Sequence, residues 1–355
     1  MQTTLMLKTL PDPEQRSILL RTVEVFNDAC NDMSRTSFEN GFPNKYELHK
    51  MAYYGIKEKY RLPSQLVVRA ISKVVESYKV DRTCMHEFDR HGSIIFDQRI
   101  LSFKGLDMVS MNTLGGRIKV PVVFGEYQRQ RFSRVHGQAD LLYRNGSFYL
   151  AVVVDVPEEP RYEPVDFIGV DLGIKNIATT SDDKNYAGDA VKQKRIANAK
   201  HRMRLQKRGT RSARRRLKKT SGKERRFQRV VNHNISREII ADVKGTGRGI
   251  ALEDLTGIRQ RTVIRHEHRY IHMSWAFHQL RAYIEYKATI AGVPTKLVNP
   301  ENTSRECPEC HTIDKRNRPS RDNFRCIQCG YIGEADHIAA INIRSRAAVN
   351  QPIVA

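Results

Sequence analysis

The most specific chemical pattern in the sequence is a set of four cysteines near the C-terminus. Cys307-Pro-Glu-Cys310 and Cys326-Ile-Gln-Cys329 are two C-x-x-C pairs with 15 residues between them. Pairs at this spacing form two knuckles that bind one zinc ion tetrahedrally through four thiolates. Because cysteines fill all four positions, we predict a structural zinc and not a catalytic one. Disulfides are the alternative, and they fit poorly with a chain whose first residues show no secretory signal.

Three acidic residues lie in apolar surroundings, where an unpaired charge is costly. Asp171 and Glu253 are each embedded in a short apolar run that predicts a strand, and Asp336 lies in the first turn of a helical pattern. The small Ala339 and Ala340 would let that helix pack closely against the sheet and present Asp336 to the other two acids. Clustered carboxylates repel one another, and hard cations such as magnesium prefer oxygen ligands. We therefore predict that the three carboxylates hold two magnesium ions, which can clamp the attacking and leaving oxygens of a phosphodiester.

The strand that contains Asp171 carries a glycine on each side of it on the same face. Side chains alternate along a strand, so Gly169, Asp171 and Gly173 share one face, and Ile168 and Val170 share the other. We expect the missing side chains to leave Asp171 open to a bulky ligand. An Asp that merely ends a strand before a turn is the alternative for this segment.

The charge of the chain indicates a polyanionic partner. Sixty-one Lys and Arg stand against 39 Asp and Glu, which gives a net charge of +22. Such an excess attracts phosphate backbones over long range. The alternatives are a merely basic protein and a protein of an anionic membrane surface, and no amphipathic anchor accompanies the charge to support the second. No apolar run is long enough to span a bilayer, so we predict a cytoplasmic protein without a membrane partner.

The charge is concentrated in one internal stretch. Between Lys192 and Arg229 there are 18 Lys or Arg and a single acid, Glu224. The pattern predicts helices broken around Gly209-Thr210 and Ser221-Gly222. We interpret the stretch as a helical insertion that grips nucleic acid, the alternative being a solvated charged segment. The predicted contact residues are Arg202, Arg204, Lys207, Arg208, Arg211, Arg214, Arg215, Arg216, Lys218 and Lys219.

The order of patterns along the chain predicts an α/β multidomain protein. Helical periodicity covers Glu14 to about Phe38 and Leu66 to Tyr78, with Pro63-Ser64 as the cap of the second helix. Short strands follow, and Asn145-Gly146 is a hairpin signal. We predict these segments in chain order: an N-terminal β-barrel (1–155) with a helical insert (about 14–90), a linker (156–164), a core (165–303) with a basic helical insertion (190–245), a zinc ribbon (304–332), and a C-terminal helix and tail (333–355).

The remaining cysteines, histidines and tryptophan have simpler interpretations. We predict that Cys30 and Cys84 are packed core thiols. An amphipathic helix from Met273 to Ala288 should end at Gly292, which suits a C-terminal glycine cap. Trp275 should serve packing, and four histidines should face solvent or bind backbone instead of metal: His266, His268, His272 and His278.

Taken in order, these motifs resemble the TnpB (OrfB) proteins of insertion sequences, which are relatives of type V CRISPR effectors. The resemblance is specific from about residue 165 to 345. It is carried by Gly-Val-Asp171-Leu-Gly, Leu-Glu253-Asp-Leu, Asn-Thr-Ser304 with the cysteine pairs that follow, and Ala-Asp336-His-Ile-Ala-Ala-Ile. It implies an RNase H-like (RuvC-type) core in which the three acids are the catalytic, magnesium-binding residues. One departure is Ile338, where the family usually has Asn, and it leaves the geometry around Asp336 open.

The resemblance also implies a function. TnpB-like proteins bind a guide RNA derived from the element, pair it with double-stranded target DNA beside a short adjacent motif, and cut the DNA at one RuvC site. The basic helices would hold the heteroduplex by its shape and phosphates, and the N-terminal module would recognise the adjacent motif and the guide. We predict an RNA-guided DNA endonuclease of a transposable element. The alternatives are a guided DNA-binding protein that does not cut, an unguided structure-selective RuvC-type nuclease, and a transposase that joins strands. The oligomeric state stays open.

Overall fold

A computed structural model describes residues 1–132, 135–173, 175–255 and 277–349 of the chain. The chain divides into two compact units, residues 1–157 and 158–355. Among the described residues, no helix is both long enough and apolar enough to cross a membrane.

The first unit joins a seven-stranded antiparallel sheet to a group of helices inserted after its first strand. Its strands are β1 (Gln2–Thr9), β2 (Ile94–Asp97), β3 (Leu101–Lys104), β4 (Met108–Thr113), β5 (Gly116–Val123), β6 (Val135–Arg144) and β7 (Ser147–Asp155). Its helices are α1 (Pro13–Glu39), α2 (Lys45–Tyr60), α3 (Ser64–Val80) and α4 (Glu126–Arg131). The strand order is β2-β6-β7-β1-β5-β4-β3, and residues 98–100 alone separate the two end strands, β2 and β3. The sheet is therefore nearly closed, in agreement with the barrel predicted from the sequence.

The helices of this unit follow the predicted pattern with two differences. Helix α1 begins at a capping box, in which the Asp12 carboxylate accepts from the Gln15 amide at 2.8 Å. Helix α2 was not predicted, because its buried residues are few and are interrupted by polar or exposed neighbours. In α3, Ser64 is the first helical residue and Pro63 occupies the cap position without a side-chain hydrogen bond. The predicted helix start at Pro63-Ser64 is confirmed, but no side chain caps it.

The two isolated cysteines have different environments. Cys30 is fully buried on the apolar face of α1, and burial raises the pKa of its thiol to about 12. Cys84 is exposed in the irregular segment after α3. The prediction of a packed thiol is confirmed for Cys30 and wrong for Cys84, because the helix ends at Val80 before it reaches that cysteine.

The second unit is built on a five-stranded mixed sheet and a two-stranded ribbon. Its strands are β8 (Asp166–Asp171), β9 (Asn176–Thr180), β10 (Asn185–Ala187), β11 (Arg248–Glu253), β12 (Thr295–Val298), β13 (Asn323–Arg325) and β14 (Ile332–Glu334). Its helices are α5 (Asp189–Arg208), α6 (Arg211–Thr220), α7 (Lys223–Val243), α8 (Phe277–Ile290) and α9 (Ala335–Val349). The sheet order is β10-β9-β8-β11-β12; β8, β11 and β12 pair in parallel, β9 pairs antiparallel with β8, and β10 pairs antiparallel with β9. Strands β13 and β14 form the ribbon.

The two faces of the mixed sheet carry separate apolar cores. Ile168 and Val170 pack in a cluster with residues of α7 and α8, such as Ile239 and Ile284. Phe167 lies in a second cluster, with residues of α9 and of the neighbouring strands. The alternation predicted along β8 is confirmed, and the sheet is covered on both faces, as sheets with parallel strands are.

The segment after Pro157 lies against this second unit. The amide of Glu159 donates to the carbonyl of Ile290 at 3.0 Å, and the hydroxyl of Tyr162 donates to the carbonyl of Arg248 at 2.7 Å. Helix α8 ends nearby, before Gly292, whose φ of +67° is left-handed as the predicted glycine cap requires. Part of the predicted linker is therefore fixed by hydrogen bonds.

The glycines beside Asp171 make room for the chain itself and not for a ligand. A Cβ at Gly169 would overlap the carbonyl oxygen of Ala340 and lie 2.6 Å from the amide nitrogen of Arg344, both in α9. A Cβ at Gly173 would lie 2.7 Å from the carbonyl oxygen of Asn176. The predicted opening for a bulky ligand is wrong, because the backbone of α9 fills the space above Gly169.

We expect Gly169→Ala to destabilise the protein, because the added methyl group meets rigid backbone. Overpacking of this kind lowers the free energy of unfolding by about 1–3 kcal/mol. Thermal denaturation followed by circular dichroism measures the effect. Gly55→Ala in α2 is the matched control, since a Cβ at Gly55 meets nothing within 4 Å and should be neutral or stabilising. Equal melting temperatures for Gly169→Ala and the wild type would contradict the close approach of α9.

Candidate functional site

The sheet and one helix bring the three predicted acids to a common edge. Strands β8 and β11 are parallel, with Val170 opposite Leu252. Asp171 and Glu253 are the next residues and the last of their strands, so both acids lie at the carboxyl-terminal edge of the sheet. Asp336 lies in the first turn of α9, which packs on β8. Residues separated by more than 160 positions in the sequence thus meet where the parallel strands end.

The electrostatics of this edge reflect the concentration of negative charge. Burial raises the pKa of Asp171 well above its usual value, and the carboxylates of Glu253 and Asp336 raise it further. Burial also raises the pKa of Glu253, while a hydrogen bond from Thr303 lowers it. A buried acid beside like charges is stabilised by a proton or by a cation. The edge therefore favours the binding of positive charge.

Hydrogen bonds hold two of the acids in place. The hydroxyl of Thr303 donates to Glu253 Oε1 at 2.6 Å, and the amide of Asn176 donates to Asp336 Oδ2 at 3.1 Å. The guanidinium of Arg318, in the segment between the two cysteine pairs, lies 3.8 Å from Asp336 Oδ1. Sequence reasoning did not identify Thr303 or Asn176 as members of this site. Thr303 lies in the Asn-Thr-Ser304 motif before the first cysteine pair, and its contact with Glu253 becomes visible only in the folded structure.

The carboxylates suit a hard cation by their chemistry. Oxygen ligands from Asp171, Glu253 and Asp336 converge on one edge, and their mutual repulsion is relieved when a divalent cation binds. They are less tightly grouped than the cysteines. Within the described ranges, only the four cysteines bring three or more ligand atoms within 4.8 Å of one another.

The four cysteines of the ribbon form a compact sulfur cluster. The sulfur atoms of Cys307 and Cys329 lie 3.5 Å apart, as do those of Cys310 and Cys326. A tetrahedral zinc ion with Zn–S bonds of about 2.3 Å separates its sulfurs by roughly 3.8 Å. The cluster is therefore close to the geometry of a four-thiolate metal site, and the predicted ligand set is brought together.

Ile338 attaches the cysteine-bearing segment to α9 by apolar packing. Its side chain is fully buried in one cluster with Cys307, Phe324 and Cys326. The amide of Ala335, at the start of α9, donates to the carbonyl of Asp322 at 2.9 Å. The apolar residue two positions after Asp336 therefore packs against the ribbon and fixes the first turn of the helix.

The basic insertion is helical and breaks where the sequence predicts. Helices α5, α6 and α7 are separated at residues 209–210 and 221–222. Arg202 differs from the other predicted contact residues, because it is partly buried and donates to Glu224 at 2.8 Å. It thus helps to join α5 to α7. The exposed members are Arg204, Lys207, Arg208, Arg211, Arg214, Arg215, Arg216, Lys218 and Lys219.

Several predictions made for the region before α8 lie outside the described residues. These concern Met273, Trp275 and the histidines His266, His268 and His272. His278, at the start of α8, is exposed, as the sequence analysis expected.

The raised pKa of Asp171 predicts a pH-dependent stability. The stability that depends on this group is fully present below the ordinary pKa of Asp and is lost as pH rises through the raised folded value. In metal-free buffer at neutral pH, Asp171→Asn should therefore increase the free energy of unfolding and raise the melting temperature.

Melting curves at neutral pH and below about pH 4 test this expectation. The difference in melting temperature between the two proteins should vanish at a pH where the wild-type carboxyl is protonated in both the folded and the unfolded state. In excess magnesium the wild type should instead melt at the higher temperature, because its Asp171 carboxylate can bind the cation and the neutral amide of the Asn variant binds it weakly. A less stable Asp171→Asn protein in metal-free neutral buffer would contradict the charge repulsion inferred for the site.

Comparisons with known proteins agree with the motifs. Residues 151–256 match a family model described as a probable transposase, OrfB_IS605, and residues 277–343 match the model of the Cas12f1-like TNB domain. The CRISPR-associated endodeoxyribonuclease Cas12f1 of Sulfoacidibacillus thermotolerans is 29% identical over 247 residues, covering 64% of this chain and 56% of that protein. The TnpB-like protein MJ0751 of Methanocaldococcus jannaschii is 26% identical over 247 residues, covering 64% of this chain and 85% of that protein.

Solved structures of low sequence identity share the fold. A cryo-EM structure of the Cas12f1–sgRNA–target DNA complex matches with a TM-score of 0.64 at 16% identity, covering 92% of this chain and 82% of that chain. The mini-RNA-guided endonuclease CRISPR-Cas_phi3 matches with a TM-score of 0.60 at 12% identity, covering 99% and 93%. The chain spans about half the length of the curated Cas12f1 proteins it matches, 56% and 40% for two of them. The resemblance to the TnpB (OrfB) family and its type V CRISPR relatives that the motifs predict is confirmed.

Proposed function

We propose that this protein is an RNA-guided DNA endonuclease of a transposable element, with an RNase H-like (RuvC-type) site formed by Asp171, Glu253 and Asp336. The observation that carries the proposal is the meeting of these three acids at the ends of two parallel strands and the start of one helix. Relatives of the chain are named endodeoxyribonucleases, which supports the reaction class.

Two magnesium ions at this edge would polarise the phosphodiester, supply an activated water and stabilise the attacking and leaving oxygens. Asp171, Glu253 and Asp336 would hold them. Two of these carboxylates accept hydrogen bonds, Glu253 from Thr303 and Asp336 from Asn176. The guanidinium of Arg318 adds a fixed positive charge at the same edge, where the anionic substrate backbone must lie.

We further propose that the cysteine cluster holds one structural zinc ion. The sulfur distances and the grouping of four cysteine ligand atoms within 4.8 Å of one another support this assignment. The ion would stabilise the ribbon against which Ile338 packs. Its contribution to cleavage is therefore indirect, through the position of α9.

The proposed partners are a guide RNA and double-stranded target DNA. The exposed basic residues of α5 and α6 offer a surface suited to phosphate backbones, and the protein carries a net charge of +22. A structural neighbour is a Cas12f1 complex with sgRNA and target DNA. We assign recognition of the adjacent DNA motif to the first unit, by the same likeness of fold.

One alternative has an observation in its favour. The OrfB_IS605 family model is described as a probable transposase, and strand transfer uses the same kind of carboxylate site as hydrolysis. An assay with labelled DNA separates the two reactions, because transfer joins the new end to another strand and hydrolysis leaves it free.

The experiment that tests the proposal begins with protein purified from cells that also carry its native flanking DNA. A discrete co-purifying RNA should map to that flank and direct cleavage of a library with a randomised adjacent motif. Asp171→Ala should reduce the cleavage rate by more than about 100-fold, beyond the range for residues that only support metal ligands. Binding of RNA and target should be unchanged, because the substitution removes a metal ligand and no contact of the basic helices.

Glu238→Ala is the matched control, since it removes an exposed carboxylate of α7 away from the site. Full cutting by Asp171→Ala would remove the site assignment. Heterogeneous DNA or no nucleic acid in the purified protein would instead leave an unguided nuclease.

The basic helices generate a separate prediction on binding. Combined Arg214→Gln, Arg215→Gln and Arg216→Gln substitutions should weaken RNA binding and reduce its salt dependence by up to about 0.7 in log K per log salt for each lost contact. Arg202→Gln should lower the melting temperature and leave the salt dependence nearly unchanged, because Arg202 is engaged with Glu224. Filter-binding titrations over a range of salt measure both. Equal salt slopes for the triple variant and the wild type would exclude these arginines from the interface.

A further inference from the structure

Thr303 makes a buried contact with one of the three acids. It lies in the loop between β12 and the first cysteine pair, and the residue is 4% exposed. Its hydroxyl contacts Glu253 Oε1 at 2.6 Å and the carbonyl of Pro300 at 3.1 Å. A hydroxyl has one proton to donate, and the shorter bond to the charged acceptor is the stronger. Thr303 thus supplies a directional bond to the carboxylate of Glu253, a residue that is itself only 8% exposed.

The loop that carries Thr303 is fixed from α9. The side-chain amide of Asn342, 3% exposed, donates to the carbonyls of Thr303 at 2.7 Å and Glu306 at 2.8 Å. One turn on, Arg346 donates to two further loop carbonyls at residues 299 and 301, each at 2.7 Å. The helix that presents Asp336 therefore also determines where the hydroxyl of Thr303 lies.

We propose that Thr303 is a positioning residue that holds the Glu253 carboxylate in the orientation that binds metal. The inference rests on the proposed function, in which Glu253 is a metal ligand. Without the hydroxyl, the buried carboxylate loses the hydrogen bond that fixes its direction and can rotate away from the edge that it shares with Asp171. Residues that orient metal ligands in this way typically change metal affinity or activity by 10–100-fold.

The test compares Thr303→Val, which keeps the shape and removes the hydroxyl, with Thr303→Ser, which keeps the hydroxyl. Manganese binding to the full-length protein without nucleic acid, followed by electron paramagnetic resonance, gives a readout that does not depend on cleavage. Thr303→Val should weaken manganese binding and raise the magnesium concentration for half-maximal cleavage by roughly 10–100-fold. Thr303→Ser should restore both values.

A matched control makes the same change elsewhere. Thr289→Val in α8 removes a hydroxyl that donates to the carbonyl of Glu285 along its own helix, and it should not alter manganese affinity. Thr303→Ala replaces the valine variant if that protein does not fold. Unchanged metal binding in Thr303→Val, or equal losses in the valine and serine variants, would overturn the positioning role. Failure of the proposed function is distinct, because then Asp171→Ala would bind manganese and cut as the wild type does.

Discussion

Like charges share one edge of a sheet only where the surrounding fold compensates their repulsion. In this protein the compensation is incomplete, since burial and two neighbouring carboxylates raise the pKa of Asp171. The parallel pairing of β8 and β11 and the docking of α9 force the acids together, and these contacts bury two apolar cores. The free energy gained by burying these apolar residues thus offsets the repulsion between the carboxylates, as happens at functional sites. The edge is stable enough to exist and remains favourable for a cation.

Helix α9 connects the parts of the second unit that matter for this site. Its first turn carries Asp336, Ile338 packs into the ribbon that holds the cysteines, and Asn342 fixes the loop of Thr303. These contacts come from successive turns of one rigid helix. A displacement of the helix would therefore move one acid directly and disturb a second through Thr303. The unusual Ile338 belongs to this arrangement, because a buried position against Phe324 suits an apolar side chain.

Local patterns in the sequence predicted the strands that contain Asp171 and Glu253, the breaks between the basic helices and the grouping of the four cysteines. Each of these depends on periodicity or on spacing over a few residues. The contacts that complete the site could not be predicted in the same way. Thr303 meets Glu253 across 50 positions, and Asn176 meets Asp336 across 160. Helix α2 was not predicted because few of its residues are buried. The environment of Cys84 was predicted wrongly because the helix before it ends at Val80.

The close approach of α9 to Gly169 has a consequence for how this protein can change over evolutionary time. Gly169 lies two residues from an acid, and a comparison of many related sequences would group the two as one functional motif. The constraints are different in kind, since Asp171 is restricted by charge and Gly169 by the space that the backbone of Ala340 leaves. Under the proposed function, a descendant that lost cleavage could lose the acid and would still keep the glycine. Retention of Gly169 without Asp171 would therefore mark a protein that has preserved the fold after its chemistry was lost.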